Sequence, residues 1–378
     1  MHYTIYRSVY SIKSQKRPLA AVDGSAYTIW AFKYCYVMYQ RTMTTRRNTV
    51  FQKQPMMRRV LYALAPIAVL AIWLYGPRVI LTLAVSLGTG VLVEYLFEKK
   101  KGGKVSEAVL VTGTLFAFSM PPAVPLWIVA TGMAFAVFMA KEVYGGFGRN
   151  IFNPAIAGRL FVYISFAGVL GGSFFEPGDF GAAAGSLFGK PDAVSAATSL
   201  AVMRSGGDVS ILGLLLGTRS GSIGESSIIL IAGAAIYLIA TKTAQWRLVL
   251  STMAGGAAVA AGLFFAGVQK AMPMQSLLAG SFLFVAVFMA TDPVSAPKKP
   301  AAQWAYGLMI GAVIIIIRTF SLFPEGTSFA LLLGNVFASL FDKIVTDAAK
   351  RKAALAAAGA ARAATPASAT DAGKGALK

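Results

Sequence analysis

Long apolar runs recur from Val60 to about Val345, and several approach the roughly 20 residues that an α-helix needs to cross ~30 Å of hydrocarbon. A backbone inside hydrocarbon must satisfy its own polar groups, which leaves only helices or closed barrels, and runs of this length suit helices. The chain is 56% hydrophobic and 13% charged, with a mean hydropathy of +0.64, which excludes soluble globular and disordered chains. The expected fold class is an all-α polytopic membrane protein.

Charge gives orientation. Thirty-five Lys and Arg against fifteen Asp and Glu leave +20, which in a soluble chain would point to nucleic acid. Here the excess lies in the tails and short loops, where cytoplasmic positive charge orients membrane helices, so no nucleic-acid partner is expected. The chain has one His, His2, and one Cys, Cys35, both outside the apolar runs. A bis-histidine haem, a four-cysteine cluster and a tetrahedral zinc site are therefore beyond this chain alone, and no metal site is expected. Any redox carrier would be organic.

Residues 1–59 carry eleven Lys or Arg and no uninterrupted span; Ala26 to Tyr39 is apolar but broken by Lys33. Met43, ahead of the basic run Thr44 to Arg59, is a candidate translation start, and no cleavable signal pattern is present. The first half reads as spans Val60–Tyr75, Val79–Phe97, Ala108–Met120, Val124–Val143 and Pro154–Leu170. The second half reads as Ser226–Ala240, Leu248–Val268, Ser276–Met289, Trp304–Arg318 and Ser328–Val345. Lys99, Lys100, Lys101, Lys104, Lys141, Arg149, Lys242, Arg247, Lys298, Lys299 and the Lys343 to Lys352 cluster then fall on the cytoplasmic side with both termini.

Five helices in one sense followed by five in the other has the parity of inverted repeats, so about ten transmembrane helices in two five-helix repeats are expected. The predicted boundaries are a basic cytoplasmic segment 1–59, a first repeat 60–170, an external loop 171–210, a half-helix and second repeat 211–345, and an Ala-rich basic tail 346–378. Ile211 to Leu216 is too short to span and is expected to be re-entrant, facing a cavity. Pro121-Pro122 and Asp292-Pro293 break apolar surroundings once in each half, as simple turns or as exposed helix ends that meet a ligand.

Soluble-enzyme motifs fail on inspection. Gly189-Lys190 is followed by Pro191 where a phosphate loop needs Ser or Thr, with Ala184 where it needs Gly. Four other segments stand out: Gly148 to Ala155, Asp192 to Thr198, Met289 to Ala296, and Phe323 to Gly326. Asn150 and Asn153 are one helical turn apart beside Pro154, so both amides can face one ligand, although Asn153 equally suits a helix cap. Asp292 beside apolar spans is costly without a cation or a helix N-terminus, which makes it a functional candidate.

In matching order from about Gly88 to Asp342, these segments resemble the B-type subunits of the Na+-translocating NADH:quinone oxidoreductases and their paralogues, the D-type subunits of the Rnf complexes, together the NqrB/RnfD family. The resemblance implies an enzyme subunit of a translocase in a bacterial inner membrane. In that family Asp-x-x-Ser-x-Ala-Thr directs an external flavin transferase to join FMN to the Thr by a phosphoester; Asp192, Ser195 and Thr198 match, making Thr198 the implied attachment residue. It further implies riboflavin held noncovalently near Asn150 and Asn153, quinone near Gly90, and an ion path through Glu94, Asp292 and Asp342. Helix packing is the competing role for Gly90, and an ion pair with a lysine for each acid. Other subunits of the complex, one of them receiving NADH, are the implied partners. The alternatives are the Rnf subunit, which couples ferredoxin to NAD, and a flavin-free channel or passive transporter of small solutes.

Overall fold

The computed structural model describes residues 51–178, 197–321 and 326–364. Asp192, Ser195, Met43 and most of Phe323 to Gly326 lie outside them. Between its turns and loops the described chain is helical, apart from β1 (Phe51–Gln52) and β2 (Val105–Ser106), a short parallel pair in which Phe51 faces Val105.

The first half contains α1 (Pro55–Tyr75), α2 (Arg78–Lys101), α3 (Ala108–Phe118), α4 (Leu126–Val137), α5 (Pro154–Ser165) and α6 (Ala167–Gly171). α7 (Ser199–Arg204) and the half-helix α8 (Ile211–Leu216) follow, then α9 (Ile228–Ala240), α10 (Trp246–Phe265), α11 (Pro273–Leu278), α12 (Phe282–Phe284), α13 (Pro300–Phe320) and α14 (Thr327–Ala364). The half-helix falls where its length predicts. It stops at Gly217, whose φ of 86° gives the left-handed cap, and a Cβ there would stand 1.7 Å from Ser226 O.

Among the described residues long apolar helices alternate with shorter and broken ones. Five described helices, α1, α2, α10, α13 and α14, are long and apolar enough to cross a membrane. α3 has 11 residues, about 17 Å at ~1.5 Å per residue, and halts at the Pro121-Pro122 break. The run predicted as Pro154–Leu170 bends at Phe166, and the run predicted as Ser276–Met289 breaks at Ala279 to Ser281. The last helix does not end near Val345 but continues through Ala364, because the Ala, Lys and Arg of that stretch are good helix formers even when exposed.

Two helices end in π-turns, Phe138–Glu142 after α4 and Val285–Met289 after α12. Each π-turn leads into one of the polar motifs, Gly148 to Ala155 in the first half and Thr291 to Ala296 in the second. The extra residue in such a turn shifts the facing of everything after it, a common device at functional sites.

Glycine decides the closest helix contact. A Cβ on Gly311 of α13 would stand 2.0 Å from Thr252 O on α10, and one on Gly255 of α10 would stand 2.2 Å from Leu308 O. In lipid, where apolar surface alone does not drive association, such backbone approach and the packing it permits hold helices together. The basic end is tied by polar contacts: Gln54 N donates to Glu107 at 2.7 Å, Ala108 N to Gln54 Oε1 at 3.1 Å, and Arg59 Nη1 to Thr241 O at 2.8 Å. At the opposite end Gly178 N donates to Leu74 O, Ile223 N to Met120 O, and Arg78 Nη2 to Val124 O.

Candidate functional site

Two clefts gather Asn150, Asn153, Asp292 and Thr198, while Gly90, Glu94 and Asp342 lie outside both. The first lies on the side of the lysine-rich ends and is lined by Lys141, Asn150, Asn153, Thr291 and Asp292 among apolar residues of α1, α3 and α9; it measures about 700 Å³ with its open mouth. Asn153 caps α5, its Oδ1 accepting from Ala155 N at 3.0 Å. Its Nδ2 reaches Met289 O only at 3.5 Å, and so retains donor capacity. Asn150 is not on the helix: it sits in the turn before it and donates Nδ2 to Phe152 O at 3.0 Å. Pro154 at the first helical position puts Asn150 upstream of the helix. Both amides nonetheless reach the same cleft.

Asp292 faces them from the other half. Its carboxylate accepts from Ser295 Oγ at 2.8 Å and Val294 N at 3.2 Å, an Asx-type turn that its Pro293 neighbour favours. Two residues unmarked in the sequence join the halves here. Asn335 of α14 accepts from Asn153 N at 3.0 Å and donates Nδ2 to the Tyr306 hydroxyl of α13 at 2.8 Å, and all three are buried. A neutral polar residue inside an apolar run carries no charge signal, which is why sequence inspection passes over both.

Lys141, expected among the surface cations, is 2% exposed and pairs with Glu94 at 2.7 Å. Glu94 accepts from Lys141 through Oε2 and from Ser106 N and Oγ through Oε1, at 2.9 and 2.7 Å. A charge count along the chain cannot separate a snorkelling lysine from a paired one, and these partners are 47 positions apart. Asp342 also takes a structural post: it accepts from Lys298 N and Lys299 N at 2.9 and 2.8 Å, at the start of α13. Gly90 packs closely, since a Cβ there would stand 2.4 Å from the end of Met133.

The second cleft lies at the opposite end. Thr198 is half-buried on its rim and caps α7, its Oγ accepting from Ala201 N at 3.3 Å. Tyr163, Phe174, Arg219, Ser220, Ser222 and Glu225 share the lining. Ser220 Oγ is buried without a hydrogen-bond partner among the described residues. Arg159, fully buried, meets Glu225 at 3.5 Å.

A bundle of apolar helices with broken segments, whose polar loops meet in buried clefts, defines a multi-pass all-α membrane protein. The profile of the NQR2, RnfD, RnfE family matches residues 42–350, and the chain belongs to that family. Its relatives include the B-type subunit of the Na(+)-translocating NADH-quinone reductase of Azotobacter vinelandii, 36% identical over 278 residues, 70% of this chain and 66% of that relative. The same subunit of Pseudomonas aeruginosa strain LESB58 is 37% identical over 269 residues, 68% of this chain and 64% of that relative. That of Pseudoalteromonas atlantica is 37% identical over 292 residues, 74% and 69%. The match with the first of these thus spans just under two thirds of that relative's length.

Proposed function

We propose that the chain is the membrane flavoprotein subunit of a Na+-pumping NADH:quinone oxidoreductase, with FMN esterified to Thr198. The observation that carries the reading is the placing of Thr198: it stands half-buried on a cleft rim, at the end opposite the lysine clusters, closing the segment that begins at Asp192 and Ser195. The cleft suits a phosphorylated flavin. Arg219 and the unpartnered Ser220 hydroxyl offer donors for phosphate oxygens, while Phe174 and Tyr163 supply flat apolar walls. The FMN there would accept and pass on electrons. An ester to Thr198 replaces the hydroxyl proton and leaves Oγ in place as a weaker acceptor for Ala201 N.

Riboflavin would be held at the first cleft, where Asn150 Oδ1 and Asn153 Nδ2 retain hydrogen-bonding capacity and Phe147 and Phe288 line the walls. Asp292 faces the same space, which supports a place for it in an ion path; Glu94 and Asp342 would join that path only by giving up the partners that hold them, Lys141 and the Lys298 and Lys299 amides. Quinone would approach the Gly90 face of α2. Partner subunits would deliver electrons from NADH, and a flavin transferase would load Thr198. In this reading the protein sits in a bacterial inner membrane with both termini cytoplasmic and the flavin-bearing loop external.

Expression with the flavin transferase, followed by a denaturing gel under ultraviolet light, tests this directly. A fluorescent band that disappears in Thr198→Ala is expected. A dark wild-type band overturns the redox reading and leaves a passive transporter.

A further inference from the structure

Three glutamates lie near one another at the basic end, and they are not equivalent. Glu94 has both oxygens engaged, one by Lys141 and one by Ser106. Glu142 follows Lys141 in the π-turn and faces elsewhere. Its Oε2 takes Lys101 Nζ at 2.8 Å, its side chain is 0% exposed, and its Oε1 is buried without a hydrogen-bond partner among the described residues. Glu98, one turn before Lys101 on α2, meets the same ammonium at 3.2 Å.

The open oxygen lies near other polar atoms. The position a Cβ would take on Gly146 lies 3.1 Å from Glu98 Oε1, 3.9 Å from Glu142 Oε1 and 3.8 Å from Lys101 Nζ. Gly146 has a φ of +96°, so the loop passes over the two carboxylates in a conformation that side chains rarely adopt, and no side chain of its own stands between them. Two carboxylates around one ammonium leave one negative charge, and a buried carboxylate oxygen without a donor is costly. Arg149 passes 3.2 Å from the equivalent point above Gly145, but it is exposed and its charge is screened.

We infer that Glu98 and Glu142 form a site for one hard monovalent cation, Na+, beneath the Gly145-Gly146 loop. Carboxylate oxygens suit a hard ion, and a single positive charge balances the cluster where a divalent ion would overshoot. A cation at Glu94 would have to expel a lysine that is 2% exposed, whereas at Glu142 it only shares oxygens with Lys101, whose side chain is 40% exposed. The choice of Na+ rests on the ion-pumping reading above; the site itself rests on the open oxygen and the converging carboxylates.

The test uses the full-length chain purified in detergent and dialysed into choline chloride. Its unfolding midpoint is followed as NaCl replaces choline chloride at constant ionic strength. A saturable rise specific to Na+ is expected, and it should be lost in Glu142→Gln and reduced in Glu98→Gln, a partly exposed position where the amide is readily tolerated. No Na+-specific rise in the wild type, or an undiminished rise in both variants, overturns the site. A midpoint that responds to pH but not to Na+ assigns the oxygen to a proton instead and overturns the Na+ assignment. Flavin fluorescence on the same sample reads the electron-carrier proposal separately, so either can fail alone.

Discussion

Replacing Glu94 by Gln isolates what the buried pair with Lys141 contributes. Both side chains are 2% exposed and their charged atoms are 2.7 Å apart, so the neutral amide leaves an ammonium buried opposite no charge. Breaking one side of a buried pair costs about 3–5 kcal/mol, because the surviving charge stays desolvated. Ser106 Oγ still accepts from Lys141 at 2.8 Å, which puts the expected cost at the lower end, about 3 kcal/mol. The assay is thermal unfolding of the detergent-solubilised chain at a fixed scan rate, comparing wild type, Glu94→Gln, Lys141→Met and the double variant. Each single change should lower the midpoint by roughly 5 °C or more. The double variant, which buries no charge, should recover most of that loss, giving a coupling of about 2 kcal/mol or more. Additive losses, or a neutral Glu94→Gln, would refute the idea that the two charges stabilise each other.

Three further outcomes follow from the same contacts. Hydrogen bonds from Arg58 hold the Glu107 carboxyl below the usual carboxylate range, so its tie to Gln54 and Arg58 is fully present at neutral pH. It is lost only as pH falls below the ordinary value of 4.5; limited proteolysis near Phe51 to Arg58 should rise there, and Glu107→Gln should show raised cleavage already at neutral pH. Asn335→Leu strands the Asn153 N–H and should cost about 1–3 kcal/mol and loosen noncovalent flavin, while Tyr306→Phe should cost about 1 kcal/mol, both read by unfolding and by flavin retained through gel filtration. Gly311→Ala drives a methyl into Thr252 O and should abolish accumulation of folded protein, whereas Gly262→Ala, with nothing within 4 Å, should be neutral or stabilising by up to about 1 kcal/mol.

Much of this architecture is legible in one dimension, and the exceptions have physical causes. Spans such as Val60–Tyr75 and Val79–Phe97 follow from apolar length alone, and the six-residue Ile211–Leu216 declares itself by being too short. The bend at Phe166 and the two π-turns carry no composition signal, since the residues on either side are as apolar as the helices they interrupt. The first cleft is partly legible: Asn150, Asn153 and Asp292 are conspicuous as polar residues beside helix breakers, and the fold brings them to one space. Tyr306 and Asn335, which lock that space, are invisible without the crossing of α13 and α14. Lys141 is the misleading residue, since only the third dimension pairs it with Glu94.

The central claim concerns one bond, between a flavin phosphate and Thr198. Peptide mass analysis of protein made together with a flavin transferase measures it most directly. The peptide holding Thr198 should carry the mass of one FMN less water, and fragmentation should place the adduct on that hydroxyl. An unmodified peptide, or an adduct on another residue, would contradict the account.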